Sequence, residues 1–122
     1  MDDSILNSIK DLLGIQEEDH GFDKELIFHI NRVFLNLNQI GVGPDEIFVV
    51  TDDKDSWDDF VDDEGLIGSV AEFVKLKVQI LFDPPTSNVL MEALNEALRE
   101  TEWRLREQVD KYVPEEVISS NE

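Results

Sequence analysis

Apolar residues recur at helical spacing in four stretches of the chain, which predicts a mainly α-helical protein. In the first stretch, residues 4–13, the apolar residues follow the first of them, Ile5, at offsets of one, four, seven and eight residues. Gly14 comes next and can end the helix. The second helix is expected to begin at Asp23, a candidate N-cap, and to end near Ile40, before Gly41.

The second predicted helix is apolar on two faces. Phe28 and Leu35 lie seven residues apart and nearly opposite its main stripe, so that side of the helix also needs a partner. We expect it to contact either another part of the same fold or a neighbouring subunit. The main stripe consists of Leu26, Ile27, Ile30, Val33, Phe34, Leu37 and Ile40.

A long loop follows, and its composition predicts a brief β-strand. Residues 41–45 have turn chemistry, and residues 47–50 form a short β-branched and aromatic run. No second strand is evident, so the strand would form a small hairpin across the loop or pair with another chain. Residues 56–60 resemble a capping box, which predicts one or two helical turns.

The C-terminal half predicts a helical hairpin. Residues 74–80 alternate like a strand, but the apolar set extends over residues 66–81, which is too long for a usual strand. Asp83, Pro84 and Pro85 then end the helix, because proline lacks an N–H group and disfavours helical geometry in the residue before it. Thr86 or Ser87 can cap a last helix over residues 88–111.

Charged and aromatic side chains outside these apolar faces are candidate interface residues. Trp103 lies opposite the apolar face of the last helix, among charged neighbours that include Arg99 and Arg106. It would either pack against a loop of its own fold or anchor a partner. Lys77 falls within the apolar arc of its helix, so it either extends its stem to water or forms a salt bridge across an interface. The apolar face of the last helix consists of Leu90, Met91, Leu94, Ala97, Leu98, Thr101, Leu105 and Val109.

Size and composition fit one domain. The 122 residues are 41% apolar, enough for a single core, so we expect a helical domain over residues 1–112 and a flexible tail over residues 113–122. The chain contains no cysteine, which excludes disulfides and thiolate metal sites. The acidic start and the lack of a long uncharged apolar run predict a soluble, unexported protein without a membrane segment.

The net charge of −19 argues against a positively charged nucleic-acid-binding surface. A solvated acidic surface that keeps the protein soluble is the simplest explanation. A basic protein partner, mimicry of DNA, or a surface that DNA passes without adhering would also account for it.

No residue pattern predicts catalysis, a metal or a cofactor. Residues 52–64 carry eight acidic side chains, and Asp53, Asp55 and Glu64 match three calcium-loop positions. Trp57 and Asp58 break that pattern where a ligand and a glycine are needed, which favours a solvated acidic loop. His20 and His29 have no further ligands beside them, and no spacing of nucleophile and base is present, so we predict that the protein is not an enzyme.

Several segments together resemble the head-tail connector proteins of tailed phages and prophages of Gram-positive bacteria. The resemblance covers about residues 4–110 and is most specific at the hinge that separates the last two helices. It rests on the amphipathic helix at residues 4–13 and on HINRVF at 29–34, QIGVGP at 39–44, LKVQILFDPPTS at 76–87 and EWRL at 102–105.

The resemblance implies a structural virion protein, made in the host cytoplasm and located in the neck of the particle. Such proteins form a ring, usually of twelve copies, beneath the portal protein, and extend the DNA channel towards a tail-completion or head-closure protein. Double-stranded DNA would pass without specific binding. We expect the loop over residues 44–64 to face the channel or the tail, with Asp52, Asp53, Asp55, Asp58 and Asp59 as its candidate residues.

Two other classes of function remain open from the sequence. An acidic DNA mimic or regulatory protein would bind a basic partner, but its carboxylates should form a dense, duplex-like surface. Here they are concentrated in one loop and otherwise interleaved with apolar stripes. A small enzyme would need a reactive constellation that the sequence does not offer.

Overall fold

The computed structural model describes residues 4–111, with side chains through residue 109. Its helices are α1 (Ile5–Leu12), α2 (Asp23–Gln39), α3 (Trp57–Phe60), α4 (Glu64–Phe82) and α5 (Asn88–Lys111). The prediction of a small, mainly helical bundle is confirmed. The predicted tail, residues 113–122, lies outside the described residues.

Helix α4 is the centre of the bundle. It packs against both α2 and α5, and α1 packs across α2 and α4. Phe82 at the end of α4 meets Phe22 just before α2, with ring centroids 5.5 Å apart, so α2 and α4 run antiparallel. Because α5 returns along α4, it runs in the same direction as α2. The residues that α4 buries are Val70, Phe73, Val74 and Val78.

The predicted hairpin between α4 and α5 is confirmed. Helix α4 ends at Phe82, and the Asp83 N–H still donates a hydrogen bond to the Gln79 carbonyl. Pro84 and Pro85 follow, and the Ser87 hydroxyl accepts a hydrogen bond from the Leu90 N–H at 3.4 Å. The hinge therefore reverses the chain within a few residues and starts α5 with a side-chain cap.

Three leucines assigned to apolar helix faces are exposed instead. Leu12, Leu81 and Leu90 are all solvent-exposed. Each lies in a terminal turn of its helix, where fewer neighbouring elements remain to cover a side chain.

The predicted strand at residues 47–50 was wrong. The Val50 N–H donates to Asn31 Oδ1 at 2.7 Å, and Asn31 Nδ2 donates to the Val50 carbonyl at 3.0 Å. One side chain of α2 thus replaces the missing partner strand. Within residues 4–111, strand-like pairing is limited to an isolated bridge between Ser4 and Ser56.

A cluster of aromatic side chains packs the long loop against α2. The Phe34 ring lies 5.1 Å from Phe48, 4.7 Å from Phe60 and 6.3 Å from Trp57, measured between ring centroids. Trp57 also donates a hydrogen bond from its indole nitrogen to the Ser8 hydroxyl at 3.3 Å. The loop that carries the acidic residues is therefore part of the core.

The assignment of Asp23 as the N-cap of α2 was wrong. Phe22 occupies that position without a side-chain hydrogen bond. The Asp23 carboxylate instead accepts hydrogen bonds from Lys10 Nζ at 2.9 Å and, on its other oxygen, from His20 Nδ1 at 2.8 Å. Lys10 is fully buried and also donates to the Glu17 carbonyl, so this ion pair joins α1 to α2.

The ion pair makes stability depend on pH. Partial burial opposes ionisation of Asp23, but hydrogen bonds from Lys10 and His20 and their charges outweigh it, so its pKa lies below the usual 3.8. Because ionised Asp23 is favoured in the folded state, its stabilising contribution is complete above that usual pKa and is lost as pH falls through the lowered one. We expect Asp23→Asn to lower the free energy of unfolding by about 1–3 kcal/mol at pH 7.

The difference between wild type and Asp23→Asn should shrink below about pH 4. Urea unfolding between pH 3 and 7 measures it, and Asp11→Asn, at an exposed position on α1, is the control. A difference that stays constant over the whole range would contradict this role of Asp23.

Candidate functional site

The second apolar face of α2 is uncovered in the single chain. Phe28 is 60% exposed and Leu35 is 40% exposed, whereas the main stripe is buried against the bundle. Contact with another part of the same fold is therefore wrong for the part of the chain described, and contact with a neighbouring subunit stays a prediction.

Two basic residues extend this face. Lys24, Phe28, Arg32 and Leu35 are all exposed and follow one another at intervals of four, four and three residues, so they form one row, which we name the α2 ridge. The Arg32 guanidinium carbon lies 5.9 Å from the centroid of the Phe28 ring. Sequence reasoning missed Lys24 and Arg32, although their spacing from Phe28 is a helical signal.

Trp103 forms a second exposed surface, on α5. Its side chain is 63% exposed, so packing against a loop of its own fold is ruled out within residues 4–109. The two predicted arginines form ion pairs along α5: Arg99 with Glu96 at 2.6 Å and Arg106 with Glu102 at 3.0 Å. Exposed pairs like these add little stability, so a partner could replace them at small cost.

Lys77 occupies an intermediate position. It is half-buried on α4 and forms no ion pair or hydrogen bond with any residue of the described chain. Its predicted role in an interface stays a prediction.

The acidic loop is ordered by its own carboxylates. Asp55 Oδ2 accepts hydrogen bonds from the Thr51 N–H at 2.8 Å and the Asp52 N–H at 3.3 Å. Asp52 Oδ1 accepts one from the Lys54 N–H at 2.8 Å. These residues therefore have structural roles that the prediction of a solvated loop did not include.

The other three candidate aspartates of the loop differ in their hydrogen bonding. Asp59 accepts a hydrogen bond from the Ser56 N–H at 3.0 Å and so completes the predicted capping box of α3. Asp53 and Asp58 are exposed and accept no hydrogen bond from the described residues. Their charges are thus available to solvent or a partner.

A groove of about 720 Å³ lies beside this loop. It is formed by the turn after α2, the segment from α3 into α4, and the end of α5. Its walls combine apolar side chains with carboxylates, and we name it the acid-rimmed groove. Its main apolar residues are Pro44, Phe60, Val61, Leu66 and Val109, and its acidic residues are Asp58, Asp59, Asp62 and Asp63.

The histidines and carboxylates do not assemble into a metal site in the described part of the chain. No three such side chains come close enough there to hold an ion, and this includes the calcium-loop set of Asp53, Asp55 and Glu64. Nor does any helix within residues 4–111 have the length and apolar character needed to cross a membrane.

Comparison with known proteins gives one match. No curated protein and no solved structure shows significant similarity to the chain. The model of the family described as phage connector protein matches residues 5–112, which include all five helices. This family supplies structural components of the virion that contact other virion proteins such as the portal. The chain belongs to the phage connector protein family.

Proposed function

We propose that this connector forms a ring of twelve copies beneath the portal, extends the DNA channel, and joins the head to a tail-completion or head-closure protein. The observation that carries the proposal is the family match, which spans the whole helical bundle from residue 5 to residue 112. A head-tail connector of this kind acts through its surfaces and needs no catalytic residues.

The uncovered surfaces support assembly into a ring. The α2 ridge and the Trp103 face each expose a large apolar side chain on a helix whose opposite side is already packed. A cyclic ring joins two different surfaces of neighbouring copies, so a subunit with several separate unpaired faces fits that symmetry. Arg99, Arg106 and Lys77 would form the polar part of such contacts.

The acidity supports the channel role. Each copy carries a net charge of −19, so a ring would surround the DNA with negative potential that repels the phosphate backbone. Asp53 and Asp58 accept no hydrogen bond from the described residues, so both are candidates to face the channel or the tail. Asp53 is the better candidate, because Asp58 also lines the acid-rimmed groove. Asp52, Asp55 and Asp59 would hold the same loop in shape.

A DNA mimic is less well supported. Such a protein needs rows of free carboxylates, whereas Asp52, Asp55 and Asp59 accept hydrogen bonds from their own loop. Family membership also favours a structural role in the virion.

The role of Trp103 can be tested by mutation. We expect Trp103→Ala to weaken association with portal rings from the same phage by about thirtyfold, because exposed tryptophans that become buried in an interface contribute about 2 kcal/mol or more. The melting temperature of the free subunit should change little, since the side chain is 63% exposed. Co-sedimentation with portal rings and thermal unfolding measure the two effects.

Leu12→Ala is the matched control, because Leu12 is an exposed apolar residue on α1, away from the proposed surfaces. It should leave portal association unchanged. Equal losses of association and of thermal stability in Trp103→Ala would place Trp103 in the core instead.

A further inference from the structure

We propose that the α2 ridge of one copy docks in the acid-rimmed groove of the next copy, and that this contact closes the ring. The inference rests on the proposed ring and specifies which two surfaces meet in it.

The ridge carries two positive charges that form no ion pair within the described part of the chain. Arg99, Arg104 and Arg106 all form ion pairs within the described chain, and so does the buried Lys10. The ridge residues Lys24 and Arg32 form no ion pair with any described residue, as is also true of Lys54, Lys75 and Lys77. In the ridge, these two cations flank the exposed Phe28 on one face of α2.

The groove offers the complementary surface. Asp58 and Asp62 line it, are exposed, and accept no hydrogen bond from the described residues. Gln108, at the end of α5, also lines the groove, and its buried Oε1 lacks a donor within residues 4–109. A cationic side chain that enters from another copy would supply donors to all three groups.

The dimensions favour insertion of side chains and not of a whole helix. A volume of about 720 Å³ is within the range of clefts that enclose a small ligand, roughly 300–1,000 Å³. Phe28 and Leu35 are about 10 Å apart along α2, so one or both can enter while Arg32, between them, meets the acidic rim. Apolar side chains would then fill the apolar floor, and unlike charges would meet at the edge.

The two surfaces share no residue, which determines the type of assembly. The ridge lies on the outward face of α2, while the groove is formed by the turn after α2, by α3 and α4, and by the end of α5. A contact between them leaves a free groove on one copy and a free ridge on the other. Such a contact propagates head to tail until a ring closes.

Cross-linking tests the pairing directly, because the chain has no cysteine of its own. In Leu35→Cys/Val61→Cys, one thiol lies on the ridge and the other lines the groove. Treatment of portal-bound copies with a short bis-maleimide should give a ladder beyond the dimer. Leu35→Cys/Val49→Cys, whose second thiol lies at an exposed position outside the groove, is the control and should give no ladder.

Charge exchange provides an independent test. Arg32→Glu and Asp62→Lys should each raise the concentration needed for half-maximal assembly roughly tenfold, because like charges would then face each other. The double variant should recover most of the loss, which a misfolded chain could not do. Lys54→Glu makes the same charge change as Arg32→Glu but lies outside both surfaces, so it should assemble normally.

The outcomes separate this inference from the proposed function. If wild-type copies bind the portal as a ring, but Leu35→Cys/Val61→Cys gives no ladder and the Arg32→Glu/Asp62→Lys double variant shows no recovery, the docking contact is wrong and the connector ring stands. If wild-type copies neither bind the portal nor associate with one another, the proposed function and the docking contact are both overturned.

Discussion

Gly43→Ala is expected to lower the free energy of unfolding by about 2–5 kcal/mol. Gly43 has a φ of +89°, and an added Cβ would clash with Cζ of the Phe60 ring. That ring cannot move freely, because its centroid lies 4.7 Å from that of Phe34 and 5.2 Å from that of Phe48. Chemical denaturation of the two proteins measures the difference.

Gly14→Ala separates backbone strain from the clash. Gly14 has a similar φ of +76°, but an added Cβ would have no atom within 4 Å. Only the backbone strain remains, so the free energy of unfolding of this variant should fall by about 1–2 kcal/mol. Equal losses at the two glycines would show that the contact with Phe60 has no energetic consequence. Because Gly43 and Phe60 both line the acid-rimmed groove, Gly43→Ala should also weaken ring assembly.

Asn31→Ala is expected to lower the free energy of unfolding by about 2–4 kcal/mol. The substitution removes both hydrogen-bonding partners of the Val50 main chain, at a residue that is almost fully buried. A buried N–H and a buried carbonyl would then be left without partners, and each costs about 1–3 kcal/mol. Urea unfolding monitored by circular dichroism is the measurement.

Asn38→Ala is the matched control for that variant. Asn38 Nδ2 also donates to two main-chain carbonyls, those of Pro44 and Asp45, but these residues are exposed and water can replace the amide. We expect Asn38→Ala to lower the free energy of unfolding by less than about 1 kcal/mol. If both asparagine variants lost the same stability, Asn31 would not be acting as the substitute for a partner strand.

Periodicity alone predicted most of the helices, because the side chains that pack in this bundle repeat every three or four residues. The end of α4 was also predictable, since Pro84 and Pro85 cannot continue a helix whatever surrounds them. The strand at residues 47–50 failed for a different reason. Its β-branched residues favour extended backbone, but whether a partner strand exists depends on the tertiary fold, and here Asn31 takes that place.

The candidate site was partly predictable. The angular positions of Phe28, Leu35 and Trp103 placed them outside the main apolar faces of α2 and α5, but did not decide whether their own fold would cover them, and the structure leaves all three exposed. The acid-rimmed groove was not predictable, because it joins segments more than sixty residues apart in the chain, around Gly43 and Val109. The buried Lys10 was missed although it follows Leu6 by four residues and so lies on the apolar side of α1.

The central claim is that this chain forms a ring on the portal, and electron microscopy of the two proteins tests it most directly. Portal rings from the same phage genome would be imaged alone and after mixing with the connector. The account predicts an added collar at the narrow end of the portal, with density for twelve copies around the channel. Intact portal rings without added density would contradict it.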